Sequence, residues 1–144
     1  MSELNNLLKE ILSNTFILYM KSFHMHWNMR DERFYFLHRL IEEQYTQIAE
    51  FIDEIAERIR QKGDYAPKSL KEILNLATIK ESKSIESGSK MLVELRKSYE
   101  SLVTMVHQGI ERAGHHEDLA TQDTLIQLAK FLEKNIWILE SHQK

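Results

Sequence analysis

Residues 32–62 read ERFYFLHRLIEEQYTQIAEFIDEIAERIRQK, from Glu32 to Lys62. Leu37, Ile41, Ile48, Ile55 and Ile59 recur by fours and threes, with Phe34 and Ile52 on the same side. That spacing predicts a long amphipathic helix with Asp31 as its N-cap and Gly63 as its C′ stop. On a wheel of about 100° per residue with His38 at zero, the apolar stripe falls at roughly 260–320°. Glu42, Asp53 and Glu57 fall at about 40°, 60° and 100°. The ligand-type residues therefore form their own stripe beside the core face. They come as two pairs, His38/Glu42 and Asp53/Glu57, each four residues apart, a spacing that presents two side chains together.

The gap between the pairs carries further information. From His38 to Asp53 is 15 residues, about 22 Å of helix rise, whereas the ions of a two-metal site lie only about 4 Å apart. A single chain cannot close such a site with both pairs. A two-fold axis near residue 47 could, by setting His38/Glu42 of one copy against Asp53/Glu57 of another and creating two equivalent sites. Thr46 and Ala49 are small residues on the stripe near that midpoint, where two helices would approach. The competing reading is a solvated carboxylate face, with Asp53 and Glu57 paired to Arg60 or Lys62.

Upstream, Leu4, Leu8, Ile11, Thr15, Leu18, Ser22 and Met25 predict a helix from Leu4 to Asn28, whose end brings His26 toward His38. Downstream, the capping box Ser69-Leu70-Lys71-Glu72 predicts a short helix over Ser69–Leu76, and the polar stretch 77–88 reads as loop. Met91, Leu92, Leu95, Tyr99, Leu102, Val103, Val106 and Ile110 point inward on a helix from Ser89 to Ala113. Leu125, Leu128, Phe131, Leu132, Ile136 and Leu139 do so on a helix from Leu119 to His142. The expected fold class is all-α: a single domain over residues 1–144, built as a ferritin-like four-helix bundle with a short extra helix in its one long crossover.

Composition agrees. The 144 residues include 4 Gly and 1 Pro, too few for the turns of an all-β fold. The absence of cysteine removes disulfides, thiolate metal sites and thiol nucleophiles, leaving His, Asp and Glu as ligands suited to iron, manganese or zinc. No apolar run approaches a membrane span, and the opening residues lack the pattern of a signal peptide, so the cytosol is the expected compartment. Net charge is −3, from 19 basic and 22 acidic residues, which weighs against non-specific DNA binding. No Glu-x-x-His occurs in the chain, so a di-iron site inside the bundle is not expected.

The motif His26-Trp27-Asn28, Phe34, Leu37-His38, Glu42-Glu43, Tyr45, Asp53, Ala56-Glu57-Arg58-Ile59 resembles the Dps family of mini-ferritins. The spacings 12, 4, 11 and 4 from His26 through His38, Glu42 and Asp53 to Glu57 match that family's ferroxidase motif. Glu133-Lys134-x2-Trp137-Ile138-Leu139 resembles its second signature, and Asp118-x2-Thr121-x-Asp123 the segment before it. The resemblance implies a hollow homododecamer with two iron ions at each inter-subunit site. His26 and His38 would come from one chain, Asp53 and Glu57 from its two-fold mate, and Glu42 would serve as a further ligand. It implies Fe(II) oxidation, preferably by hydrogen peroxide, storage of ferric mineral and protection against oxidative stress. Zn²⁺ is a possible rival occupant, and Asp118 and Asp123 are candidate pore residues.

Two departures stand out: Asp31 replaces a glycine usual in the family, and no basic tail is present (Lys9 is the first basic residue, Lys144 the last). DNA binding is therefore not expected, and a DNA-binding nucleoid protein is the alternative. Trp27 is a candidate electron donor to a stray oxidant, or a packing aromatic at a subunit contact. Tyr45 and Trp137 read as core or interface, and His24 as structural. His115, His116 and Glu117 read as exposed loop, and Lys9 and Lys21 as solvated.

Overall fold

A computed structural model describes residues 2–142; Lys144, the terminal basic residue, lies outside them. Five helices follow in order: α1 (Ser2–Asn28), α2 (Phe34–Gln61), α3 (Leu70–Leu76), α4 (Gly88–His115) and α5 (Leu119–Ser141). α1 pairs with α2 and α4 with α5 as hairpins, α1 packs on α4, and α3 rests on α1. The direction of the crossover is set by two ends. Gly88 N–H donates to the Arg30 carbonyl, beside the α1–α2 turn, whereas Lys62 at the end of α2 bonds Asp118 at the start of α5. The chain from α2 to α4 thus returns along the length of the bundle, as the one long crossover expected from the sequence requires.

The core follows the expected faces. All seven expected positions of α1 are buried, as are Leu37, Ile41, Ile48, Ile55 and Ile59 of α2. On α4 and α5 the expected inward residues are buried except Val103, Ile110 and Ile136, which are half-buried. Ile52 is half-buried and Phe34 is exposed, because Phe34 stands at the mouth of the α1–α2 turn and packs on His38 rather than on the core.

The helix ends are closed by specific bonds. At the end of α2, Asp64 N–H reaches the Ile59 carbonyl and Gly63 N–H the Arg60 carbonyl, a Schellman stop that needs the left-handed φ of +88° at Gly63. α4 runs past Gly114 and stops the same way, with Glu117 at φ 55° in the glycine position. Ser69, Ser87 and Asp118 accept from N–H groups of the first turns of α3, α4 and α5.

Two expectations are corrected. Asp31 does not cap α2, which starts at Phe34 with Arg33 as its N-cap residue and no side-chain cap bond. The Asp31 carboxylate instead accepts from Arg33 N–H, Nε and Nη2, while Arg33 Nη1 donates to the His142 carbonyl at the end of α5. Asp31 also lies so close to Gly88 that a Cβ there would meet its Oδ2 at 2.5 Å. Lys21 is not solvated: it is buried, donating to Ser98 Oγ at 2.7 Å and the Lys80 carbonyl at 3.0 Å, and pairing with Glu94 at 3.0 Å. A lysine inside a bundle is tolerated only when its donors are taken, and here they strap the crossover to α1 and α4. Asn14 adds to the strap, its Oδ1 accepting from Thr78 and Ile79 N–H.

Candidate metal centre

His26 stands on the last turn of α1 and His38 on the second turn of α2, facing each other across the hairpin. His26 Nδ1 bonds the His38 carbonyl at 2.8 Å, and His38 Nδ1 bonds the His26 carbonyl at 2.7 Å. A carbonyl can only accept, so each ring carries its proton on Nδ1 and leaves the Nε2 lone pair free for a cation. The rings are parallel, 3.6 Å apart at 9°. Phe34 stacks on His38 at 4.9 Å, and Tyr45 meets His26 edge-on at 5.2 Å. Both imidazoles are thus fixed in tautomer and orientation before any cation arrives.

Glu42 lies one turn beyond His38 and is exposed. One ligand atom from each of His26, His38 and Glu42 falls within 4.8 Å of the other two, a three-donor set of nitrogen and oxygen that one cation could bridge. Asp53 and Glu57 do not join it. They lie exposed further along α2, hydrogen-bonded to each other, and that bond together with the neighbouring Asp53 charge raises the Glu57 carboxyl above its ordinary value. The cations named as their alternative partners turn elsewhere: Arg60 lies over the Tyr65 ring at 4.2 Å, and Lys62 pairs with Asp118 at 2.6 Å.

The remaining residues fall in four places. Trp27 is 58% exposed and stacks on Phe23 at 5.0 Å, not on the histidines. His24 accepts from Asn28 Nδ2 at 3.0 Å, a bond along α1 itself. Trp137 is exposed on α5, and Glu133 pairs with His107, a contact that the sequence reading missed. Thr46 is exposed and Ala49 half-buried on the stripe between the two ligand pairs.

Near the α4–α5 turn, His115 and His116 are exposed and His115 sits 3.9 Å from Glu111. Asp118 is a half-buried cap, bonded by Arg58, Lys62 and Thr121. Burial alone would raise its carboxyl, but the Lys62 and Thr121 hydrogen bonds and the Lys62 charge outweigh it and hold Asp118 well below the usual carboxylate range. Asp123 is exposed and shares a shallow pocket of about 300 Å³ with Glu54 and Glu57.

Known proteins similar to this chain are numerous. The model of the ferritin-like domain matches residues 5–144. DNA protection during starvation protein 2 of Bacillus anthracis is 34% identical over 125 residues, covering 87% of this chain and 86% of that protein. The crystal structure of a Dps protein from Bacillus brevis superposes with a TM-score of 0.96 at 31% identity, over 99% of this chain and 96% of that one. The Dps protein of Vibrio cholerae, described as a member of a broad superfamily of ferritin-like diiron-carboxylate proteins, superposes at 0.95 with 30% identity, over 99% and 90%. With the bundle, its single long crossover and these matches in hand, the chain belongs to the Dps family of ferritin-like proteins.

Proposed function

We propose that this chain is the subunit of a ferroxidase and iron-storage shell, with Fe(II) as its substrate. The observation that carries the reading is the reciprocal lock of His26 and His38, which leaves two Nε2 atoms beside the Glu42 carboxylate. Histidine nitrogen with carboxylate oxygen suits Fe(II), and Zn²⁺ competes for the same donors.

The second half of the site comes from a two-fold mate. Asp53 stands about 22 Å and Glu57 about 28 Å along α2 from His38, so Asp53 and Glu57 of the partner subunit face His26, His38 and Glu42. Thr46 and Ala49 let the two helices approach. With two Fe(II) held between chains, one hydrogen peroxide and two protons yield two Fe(III) and two waters, so no one-electron fragment is released. The shell is a homododecamer that keeps the ferric product inside, and the exposed Asp123 lies on the route by which Fe(II) reaches Glu57. The Bacillus anthracis relative is named for DNA protection. In this chain, with net charge −3, the reading is protection by removing iron and peroxide rather than by coating DNA.

The test is stopped-flow Fe(II) oxidation in anaerobically loaded protein, comparing hydrogen peroxide with dioxygen, with mass determination on the same sample. A twelve-chain particle that consumes two Fe(II) per peroxide, faster than buffer, is the expected result. A monomer or dimer with no acceleration would overturn the reading.

A further inference from the structure

The groove between α2 and α5 carries polar groups that the bundle does not use. It holds about 330 Å³, with Glu43, Gln44 and Gln47 on its α2 wall and Gln127, Lys130 and Lys134 on its α5 wall. Among the described residues, Glu43, Gln47, Gln127, Lys130 and Lys134 make no side-chain hydrogen bond or ion pair. Arg39, one turn before Glu43, donates to the Tyr35 hydroxyl instead. The larger cavity between α1 and α4, about 610 Å³, is different: Arg112 there is taken by Glu3, and His115 faces Glu111.

A buried oxygen shows what the groove lacks. Asn135 Nδ2 donates to the Phe131 carbonyl at 2.9 Å, so its Oδ1 turns to Gln44, whose Nε2 donates to it at 3.0 Å. Reversing either amide would set oxygen against oxygen. Both orientations are therefore fixed, and Gln44 Oε1 is the atom left over. Gln44 is 2% exposed, and this oxygen has no partner, although buried acceptors as a rule are satisfied.

The chemistry of the occupant follows from the donor set. Lys130 and Lys134 can only donate, Gln47 and Gln127 offer amide N–H, and the Glu43 carboxylate and Gln44 Oε1 can only accept. A cation would meet two ammonium groups. An anion without a proton would meet the Glu43 charge and leave Gln44 unsatisfied. An oxyanion that keeps a proton fits both halves, with oxygens for the lysines and an O–H for the acceptors. Orthophosphate keeps such an O–H at neutral pH. Sulfate has none, and a phosphate monoester loses its last proton at about pH 6.

We propose that the α2–α5 groove is a binding site for free orthophosphate, held through its oxygens by Lys130 and Lys134 and selected through its P–OH by Glu43 and Gln44. The lysine bonds are charge-assisted and supply affinity; the two acceptors supply the choice among anions. The site uses a different helix pair from the histidine centre, so it goes beyond the ferroxidase reading and does not depend on it.

The experiment is equilibrium dialysis of radiolabelled orthophosphate against the intact protein, stripped of iron with a chelator so that no ferric ion carries the anion. At about pH 7, where a monoester is mostly without its proton, the competitors are arsenate, sulfate and methyl phosphate. Saturable binding is expected, displaced by arsenate, which keeps a proton as phosphate does, and poorly displaced by sulfate or methyl phosphate. Lys130→Gln with Lys134→Gln is expected to weaken binding roughly tenfold or more. Glu43→Gln exchanges a repelling acceptor for a group that can also donate, and is expected to admit sulfate as a competitor. These three side chains are exposed, so the helical circular dichroism of both variants is expected to match wild type. Absence of saturable binding overturns the proposal, as does binding that the double lysine variant retains in full. Displacement by sulfate or methyl phosphate as readily as by arsenate also overturns it, by reducing the groove to an unselective positive patch. A Glu43→Gln protein that still refuses sulfate removes Glu43 from recognition and overturns the selection mechanism.

Discussion

His38 shows how much a single side chain carries at this centre. Its ring offers one Nε2, its Nδ1–H holds the His26 carbonyl, and its carbonyl holds the His26 ring. His38→Ala removes a ligand and half of the lock while leaving the core of α2 untouched. The expected loss of Zn²⁺ or Co²⁺ affinity is at least the roughly 10–100-fold that losing an orienting partner costs, read by titration calorimetry, with the helical circular dichroism unchanged. Glu117 is a residue-scale cost of a different kind. It holds a left-handed φ of 55° at the end of α4, where a side chain is strained and glycine is not. Glu117→Gly is expected to raise stability by about 1 kcal/mol in urea unfolding.

At the scale of elements, two polar clusters join helices that apolar contact alone would leave free to slide. Asp118 caps α5 and pairs with Arg58 and with the nearly buried Lys62 of the α2 end. Asp118→Ala loses the cap and the hydrogen bonds from Arg58 and Lys62, an expected cost of about 2 kcal/mol. Because the folded carboxyl lies below its ordinary value of 3.8, the stability it contributes is fully present above that value. It is lost as pH falls further, which urea midpoints across the acid range measure.

The crossover strap behaves alike. Burial would raise Glu94, but hydrogen bonds from Ser82 and Lys21 outweigh it and lower the carboxyl below 4.5. Its contribution is therefore complete above that pH and disappears as pH falls through the lower folded value. Hydrogen exchange at the Thr78 and Ile79 amides, which bond Asn14 beside this strap, is expected to lose protection in Lys21→Ala and, in wild type, on acidification.

For the whole molecule, the division of the site between two chains makes a prediction that no single-chain site shares. Subunits carrying His26→Ala with His38→Ala, and subunits carrying Asp53→Ala with Glu57→Ala, are each expected to fold and to lose rapid Fe(II) oxidation, since none of these side chains builds the bundle's apolar core. Unfolded together and co-refolded, they are expected to regain part of the activity. Each mixed pair assembles one centre with all its ligands and one that keeps Glu42 alone. Absence of recovery in particles shown by mass to be mixed would place both ligand pairs in the same chain's site and refute the shared arrangement.

The helices, their order, the long crossover and the ligand spacing were all legible in the sequence. Each depends on a periodicity or a rise that holds for any α-helix, and the buried stripe of α1 from Leu4 to Met25 was readable position by position. Caps at Ser69 and Gly63 were legible too, because a hydroxyl three residues before a backbone N–H, or a glycine at a left-handed turn, acts locally. What tertiary structure alone decided was the partner of each polar group. Asp31 turned to Arg33 and Gly88 rather than to the start of α2, Lys21 went inward to Glu94, and Asp118 was taken by Lys62. Apart from Asp31 with Arg33, these contacts join residues as many as 73 apart in sequence, and no local pattern encodes them. The same holds for the reciprocal bonds of His26 and His38 and for Tyr45 against His26. The sequence placed those residues near one end of a hairpin, but the rotation of α1 against α2, fixed by core packing, determined which atoms meet.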